Sequence, residues 1–323
     1  MNLLSFPPAI ASSLRFSSGR VLVTGGGGWF GLATLEMLEQ ALGSAFDRRV
    51  VAFARNARTV ILRSGRPVDL LDLEALADLP KDEAAPLLAN YAFLTREKVK
   101  GVGVPDYIRI NRSLTRFVSG EALRLRARGA FSTSSGAVYR DDGSLETDVE
   151  TNPYGFLKRE EEEVFERLGR EMAIPTAICR VFNVSGPYLN KEYAIGSLIG
   201  EALFEPQMQV RAQRRVYRSF AHVADIVSVG FAIALGCAPS PECPYDTAGD
   251  EIVEVGELAA RIRLRLGCPA KPIVRARLID AVQDDRYVGD FRTFAGLAAA
   301  AGVHLLSLDE QIADTAAYLK THR

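Results

Sequence analysis

Apolar and polar residues fall along this chain in two kinds of block. Short apolar runs mark strands buried on both faces, and longer stretches with apolar residues three or four apart mark helices. The first run, Val21-Leu22-Val23, leads into four glycines, Gly25 to Gly28. Leu32, Leu35 and Leu38 follow at helical spacing, with Glu36 and Glu39 between them. Strand, glycine turn and helix are therefore predicted in succession. Further strands are predicted at residues 49–54, 68–72, 87–94, 128–135 and 174–181, and helices from about residue 106 and over 153–170. Strands alternating with helices predict a doubly wound parallel α/β sheet. Beyond Gly186-Pro187 the blocks shorten and prolines cluster, as in Cys237-Ala238-Pro239-Ser240-Pro241. Amphipathic stretches at 255–266 and 308–319 predict a smaller α/β cap. The expected organisation is a sheet domain at 20–186, rejoined by 219–236, with 187–323 mainly cap. Residues 1–19, with Ser5-Phe6-Pro7-Pro8 and several serines, read as an arm lying on the surface.

The glycine spacing adds chemistry to this outline. Gly25, Gly28 and Gly31 stand as Gly-x-x-Gly-x-x-Gly, more glycine than a plain tight turn needs. One glycine allows the turn, one lets backbone N–H groups approach a phosphate, and one lets the helix lie close on the strand. The helix N-terminus then favours a pyrophosphate. Gly25, Gly28, Trp29, Phe30 and Gly31 are thus candidate contacts for a dinucleotide. An acid at the end of the second strand would favour NAD through its ribose hydroxyl. This chain has Ala54 and Arg55 there, with Arg58 close by, which suits the 2′-phosphate of NADP; NAD is the alternative. Near the end of the third strand, Asp69 suits a turn cap or a bond to the adenine amine, and Leu70 is a further candidate cofactor contact. Residues 89–93 would pass the nicotinamide ribose. Asn111, early in a helix, suits either a bond to nearby backbone or a catalytic role.

Charge and cysteine content remove several function classes. With 39 basic and 40 acidic residues and a net charge of −1, no broad field favours nucleic acid or an acidic membrane. No apolar run approaches the length of a membrane span, and the first nineteen residues do not read as a secretory signal. Cys179, Cys237, Cys243 and Cys268 are scattered without a Cys-x-x-Cys pair, so neither a metal site nor a disulfide framework is expected. A reduced, cytoplasmic compartment is expected.

Tyr154 and Lys158 lie four residues apart on a predicted helix, which places both on one face. An ammonium beside a phenol favours phenolate, so a lowered pKa is expected for Tyr154. Such a phenol can exchange a proton with a carbinol or carbonyl during hydride transfer. Ser135, at the hydroxyl-rich end of the strand at 128–135, would hydrogen-bond the same oxygen.

These segments resemble the extended short-chain dehydrogenase/reductase family, and within it the nucleotide-sugar epimerase/dehydratase branch. The likeness is carried by Thr24-Gly25-x-x-Gly28-x-x-Gly31, by Ser134-Ser135-Gly136-Ala137-Val138-Tyr139, and by Tyr154-x-x-x-Lys158. Arg180-Val181-Phe182-Asn183-Val184-Ser185-Gly186-Pro187 and Arg218-Ser219-Phe220-Ala221-His222-Val223-Ala224-Asp225 are similar to two further segments of that branch. The resemblance implies a Rossmann-type sheet with a substrate-binding cap. It implies Tyr154 as the proton-transfer residue, Lys158 as a ligand of the nicotinamide ribose, and Ser135 as the hydroxyl that polarises the reacting oxygen. It also implies Asn183 and Arg218 as contacts to the diphosphate of a nucleotide-sugar substrate, and a homodimer through two helices. Leu114, Phe117, Leu125, Val164 and Leu168 are the apolar residues expected to face that partner. His222 reads as a packed or interface histidine.

Two departures bear on the reaction. The 4,6-dehydratases of the branch carry Asp-Glu directly after the catalytic hydroxyl residue, where this chain has Gly136 and Ala137. Dehydration by that route is not expected. The missing acid at the second strand tilts the expectation toward an NADPH-dependent reductase of a keto group on a nucleotide-activated sugar. A nucleotide-sugar 4-epimerase with retained NAD is the alternative, and a non-catalytic cofactor-binding module is the third reading. Substrate choice is expected to lie in the cap loops from Asn190 to Arg218 and from Gln283 to Arg292.

Overall fold

The computed structural model describes residues 3–189, 193–279 and 281–322. In chain order the strands are β1 (Val21–Thr24), β2 (Val50–Ala54), β3 (Arg58–Ile61), β4 (Pro67–Asp72), β5 (Leu87–Asn90), β6 (Gly129–Ser135), β7 (Thr176–Val181), β8 (Asn183–Ser185), β9 (Met208–Val210), β10 (Val216–Arg218), β11 (Phe220–His222), β12 (Tyr245–Asp246), β13 (Val253–Glu254), β14 (Ile273–Arg275) and β15 (Asp285–Tyr287). The helices are α1 (Pro8–Phe16), α2 (Trp29–Leu42), α3 (Phe46–Arg49), α4 (Val99–Val102), α5 (Val104–Arg124), α6 (Pro153–Met172), α7 (Ala194–Phe204), α8 (Val223–Ala234), α9 (Val255–Arg265), α10 (Phe291–Ala300) and α11 (Leu308–Thr321).

The main sheet runs β12-β7-β6-β5-β1-β2-β4-β3, parallel except for the last pair. The chain first builds outward from β1 through β2 and β4, then returns to the other side of β1 with β5. Strand order therefore reverses between β1 and β5, and a crevice opens at their carboxyl ends. β1 shows why its sequence is apolar at every position. Val21 and Val23 pack into the cluster that includes the buried residues of α2 and α8, whereas Leu22 packs into the cluster of α5 and α6. This is the Rossmann-type doubly wound sheet, with a smaller α/β cap. The cap has its own core, in which Ile195, Leu198 and Ile199 of α7 meet Leu258 and Ile262 of α9 and Ile312 and Leu319 of α11.

Three features differ from the sequence expectation. The antiparallel edge strand β3 is an addition; its alternation is weak because three of its four residues are exposed. The N-terminal arm is not a surface segment. Leu4, Phe6, Ile10 and Leu14 are buried, and Phe6 packs on Phe231 of α8 with ring centroids 5.0 Å apart. Pro7 and Pro8 cause this rather than prevent it, because proline suits the first turn of a helix and α1 begins at Pro8. The sheet also gains a strand from the far half of the chain, β12 beside β7, with Tyr245 stacked on Phe294 of α10. Asn190, the first residue of one expected substrate loop, lies outside the described residues.

Candidate active site

The glycine loop is held from below and open above. Gly25 turns at φ +66°, and a Cβ there would meet the Tyr91 carbonyl oxygen at 2.5 Å. A Cβ at Gly31 would fall 2.3 Å from the Gly25 carbonyl oxygen, so α2 lies on the strand end at a distance only glycine permits. A Cβ at Gly28 would meet nothing closer than 3.4 Å. Gly28 is the N-cap of α2, and no side chain caps that end, which leaves its N–H groups facing the loop mouth. These features fit a pyrophosphate. Leu70 packs beneath Gly26 and Gly27. Asp69 points to the edge strand instead, accepting a hydrogen bond from Thr59 Oγ1 at 2.6 Å. Arg58 crosses to the loop, where a Cβ on Gly27 would fall 1.9 Å from its Nη2, and Arg55 stands exposed nearby. Trp29 donates to the Pro187 carbonyl at 2.8 Å and packs against both the sheet core and the cap core, so it joins the two parts. Phe30 packs against Tyr91 at 5.8 Å.

Across the crevice, β6 ends in Ser135 and α6 begins at Pro153. Asn152 caps α6 by accepting from Gly155 N at 3.0 Å. Its amide nitrogen donates to the Ala137 carbonyl at 3.0 Å, which fixes the helix start against the turn after Ser135. Tyr154 and Ser135 are thereby brought together. Burial raises the Tyr154 pKa above the ordinary phenol range, and the hydrogen bond from Ser135 opposes that rise. The lowered pKa expected from Lys158 is thus not found. Burial of the phenol is the largest cause, and Lys158 is engaged by other groups. Its Nζ donates to the Thr133 carbonyl at 2.8 Å and to Glu161 Oε2 at 2.7 Å, and it lies 3.9 Å from the Phe93 ring centroid. Phe93 meets the Tyr154 ring edge-on at 5.9 Å.

A second phenol enters from the cap. Tyr287, on β15, places its hydroxyl 3.4 Å from Ser135 Oγ and packs its ring, tilted, 4.6 Å from that of Phe182. Burial pushes its pKa up to about 12. Asn183 holds it there, donating to the Tyr287 carbonyl at 2.9 Å and the Ser219 carbonyl at 3.1 Å. The Asn183 amide nitrogen is thus engaged by backbone. Arg218 lies 5.9 Å from the Tyr287 ring centroid and pairs with Asp285 at 2.8 Å; Arg214 pairs with the other oxygen of Asp285 at 2.9 Å. Asp285 gathers two cations at the site edge, in the manner of a phosphate. His222 is packed, 1% exposed, with Nδ1 capping α8 and Nε2 3.0 Å from Asp314. Asn111 accepts from Leu94 N at 2.8 Å and, with Tyr107 bonded to the Leu94 carbonyl, tethers the chain after β5. Among the described residues, no group of three or more His, Cys, Asp or Glu could hold a metal ion, and no helix is long and apolar enough to cross a membrane.

Sequence reasoning did not single out Glu161, Tyr287 or Asp285, although the last two lie within the expected substrate loop from Gln283 to Arg292. Glu161 carried a signal, since it lies three residues after Lys158 on the same helix. The other two reach the site only through the pairing of β15 with β10, which is remote in sequence.

A sequence model described as the NAD dependent epimerase/dehydratase family matches residues 21–238. The chain belongs to that family. None of the curated proteins compared matches it. Among solved structures, this epimerase/dehydratase-family protein is similar to epimerase Mth375 from Methanothermobacter thermautotrophicus, with a TM-score of 0.71 and 18% identity over 98% of this chain and 96% of that one. It is similar to the UDP-N-acetylglucosamine 4-epimerase of Methanobrevibacter ruminantium M1, with a TM-score of 0.73 and 14% identity over 95% and 100% of the two chains. It is also similar to TunA, an NAD-dependent NDP-hexosamine 5,6-dehydratase of tunicamycin biosynthesis, with a TM-score of 0.68 and 19% identity over 94% and 98%. At these identities the likeness is one of fold.

Proposed function

We propose that the protein is an NAD(P)-dependent enzyme that oxidises or reduces a sugar carbon of a nucleotide diphosphate sugar. The observation that carries this is the meeting of Ser135, Tyr154 and Lys158 across the crevice from an open, uncapped glycine loop. A bound nicotinamide supplies the carbon that gives or accepts a hydride. Tyr154 gives a proton to the substrate oxygen as the hydride arrives at carbon, or takes it when the hydride leaves. Ser135 orients that oxygen, and Lys158 holds the cofactor ribose. Arg218 binds the diphosphate in exchange for Asp285, with Asn183 fixing the strands around it.

Between the two reactions expected from the sequence, the comparisons support the 4-epimerase with retained NAD better than the NADPH reductase. The similar structures include epimerases, and MoeE5 is seen in complex with UDP-glucose and NAD. Specific observations keep the reductase as a second reading: Ala54 and Arg55 end β2 without an acid, and Arg58 lies against Gly27. The test is to denature the purified protein and identify the nucleotide released, then to incubate fresh protein with UDP-sugars and NADPH. Released NAD with sugar interconversion and no net NADPH use supports the epimerase. Steady NADPH consumption supports the reductase. Neither, with cofactor bound, leaves a binding module.

The assembly we propose is a homodimer through the outer faces of α5 and α6. A groove of about 520 Å³ runs between them, lined by Arg112, Arg116, Leu123, Glu160, Val164 and Arg167 among others. Leu125 and Leu168 are not free for a partner, since both are buried against the sheet. A monomeric mass by light scattering would overturn this assembly.

A further inference from the structure

Two arginines stand at the amino ends of the strands, on the side of the sheet away from the crevice. Arg49 ends α3, directly before β2, and Arg128 directly precedes β6. Arg49 is 7% exposed. Its Nε and Nη2 donate to the Gly19 carbonyl at 3.0 and 2.7 Å, and its Nη1 donates to the Leu14 carbonyl at 3.0 Å. Nη2 also donates to Ser17 Oγ at 3.0 Å. Every one of these acceptors is neutral. Arg128 is half-buried, and two of its guanidinium nitrogens, Nε and Nη2, are buried with no acceptor. Burial depresses the pKa of both guanidinium groups, and the charge of Arg128 depresses that of Arg49 further.

The neighbouring groups leave that charge uncompensated. Asp82 pairs with Arg20 at 2.8 Å and Asp47 with Arg66 at 3.0 Å, so the nearby acids are used elsewhere. Among the described residues, neither Arg49 nor Arg128 has a carboxylate partner. The end of α8 packs on this corner, since a Cβ on Gly129 would meet the Ala234 carbonyl oxygen at 1.9 Å. No carbonyl of α8 accepts from Arg128, however. Cys237, just after α8, is exposed and donates to Ser13 Oγ of α1 at 3.2 Å, and its thiol is the group that acts on Arg128. Two guanidinium groups, two serine hydroxyls and a thiol thus gather under the end of α1, without a carboxylate among them.

A buried guanidinium with unmet donors is costly, and an anion that meets those donors offsets the cost. The two unmet nitrogens of Arg128 form one edge of the guanidinium plane, the edge that takes two oxygens of a single oxyanion. We propose that Arg128, with Arg49 behind it, forms a binding site for a small oxyanion of the phosphate class, separate from the crevice. The edge of Arg128 holds two oxygens of the ion, and Arg49 adds its field while keeping its own hydrogen bonds. The starts of β1, β2 and β6 meet α1 at this corner. The ion therefore fastens the N-terminal segment to the sheet and leaves the chemistry of the crevice untouched.

The experiment is a melting titration of the whole chain with sodium phosphate, balanced by sodium chloride to constant ionic strength. The unaltered protein should gain Tm in a saturable way, as a ligand of the folded state requires. Arg128→Met keeps the length of the side chain and removes its charge and its paired donors. It should melt no lower than the unaltered protein in chloride alone, and it should need about tenfold more phosphate, or more, for the same gain. Arg128→Lys keeps the charge without the paired donors and should fall between the two. It carries the test alone if Arg128→Met does not fold. Glycerol phosphate separates the sources of the ion. A gain equal to that with inorganic phosphate assigns the site to phosphate carried on an organic group, and a gain with inorganic phosphate alone assigns it to the free ion. An equal, saturable gain in Arg128→Met would place the phosphate elsewhere, as at the glycine loop, and would overturn the proposal. No gain in the unaltered protein at millimolar phosphate would overturn it as well.

Discussion

Two single-methyl substitutions separate the roles of the glycine loop. At Gly31 an added Cβ would sit 2.3 Å from the Gly25 carbonyl oxygen and 2.6 Å from Gly26 Cα. That is roughly an ångström short of ordinary contact, and both obstacles are backbone. Such overpacking costs about 1–3 kcal/mol. Replacing a glycine inside a helix returns about 1 kcal/mol. Gly31→Ala should therefore lose no more than about 2 kcal/mol of stability, seen as a drop of a few degrees in Tm. Relief requires α2 and the loop to part, which misaligns the N–H groups for a phosphate. Cofactor affinity should fall by about tenfold or more, the equivalent of ~1.4 kcal/mol. Gly28→Ala is the contrast. Its methyl meets only the Gly25 carbonyl oxygen, at an ordinary contact distance of 3.4 Å, so Tm should change little. It stands in the loop mouth, however, and should weaken cofactor binding by a similar factor. Calorimetric melts and fluorescence titration with NADH and NADPH measure both quantities. Gly31→Ala with unaltered cofactor affinity would refute the argument that close helix–strand contact shapes the site. Gly28→Ala with unaltered affinity would refute phosphate approach at that residue.

Three further outcomes are expected. Tyr154→Phe should retain cofactor affinity and lose turnover by about a hundred- to ten-thousand-fold, measured by steady-state rates beside the same titration. Glu36→Ala should destabilise by about 3–5 kcal/mol in urea unfolding, because it leaves the buried Arg63 guanidinium, the Tyr188 hydroxyl and the Leu4 N–H without the carboxylate they share. Burial raises the Asp225 carboxyl to about 6, above its unfolded value, so its contribution favours the fold at low pH and is lost as pH rises from about 4 to about 6. Asp225→Asn should flatten stability across that window in urea titrations at successive pH values.

The parts of the fold legible in the sequence are those whose period is local. Val21 to Leu38 declares strand, turn and helix within one stretch, and Tyr154 with Lys158 declares a helix face. The parts that were not legible depend on distant pairing or on weak alternation. Tyr287 sits among Asp284, Asp285 and Arg286, a polar run with no strand signal, and gains its place from β10. The edge strand β3 is mostly exposed, so its residues have no apolar alternation to show. The Tyr154 environment was misjudged for a different reason. Four successive acids, Glu160 to Glu163, give no local sign of which is buried, yet helical rotation turns Glu161 and Glu162 inward to Lys158 and Arg180 while Glu163 stays outside.

The buried start of the chain has a practical corollary for where this molecule is cut. The family match begins at Val21, but the folding unit begins earlier. Leu4 is fastened to Glu36 at 2.6 Å, and Ile10 and Leu14 are fully buried in the main core. Arg49 spends its guanidinium on the carbonyls of Leu14 and Gly19 and the hydroxyl of Ser17. Trimming to the family segment would therefore strip α2 and α8 of their outer layer and leave Glu36 and Arg49 short of partners. At the N-terminal boundary, the matched family segment and the folded body differ by one short helix and its tether.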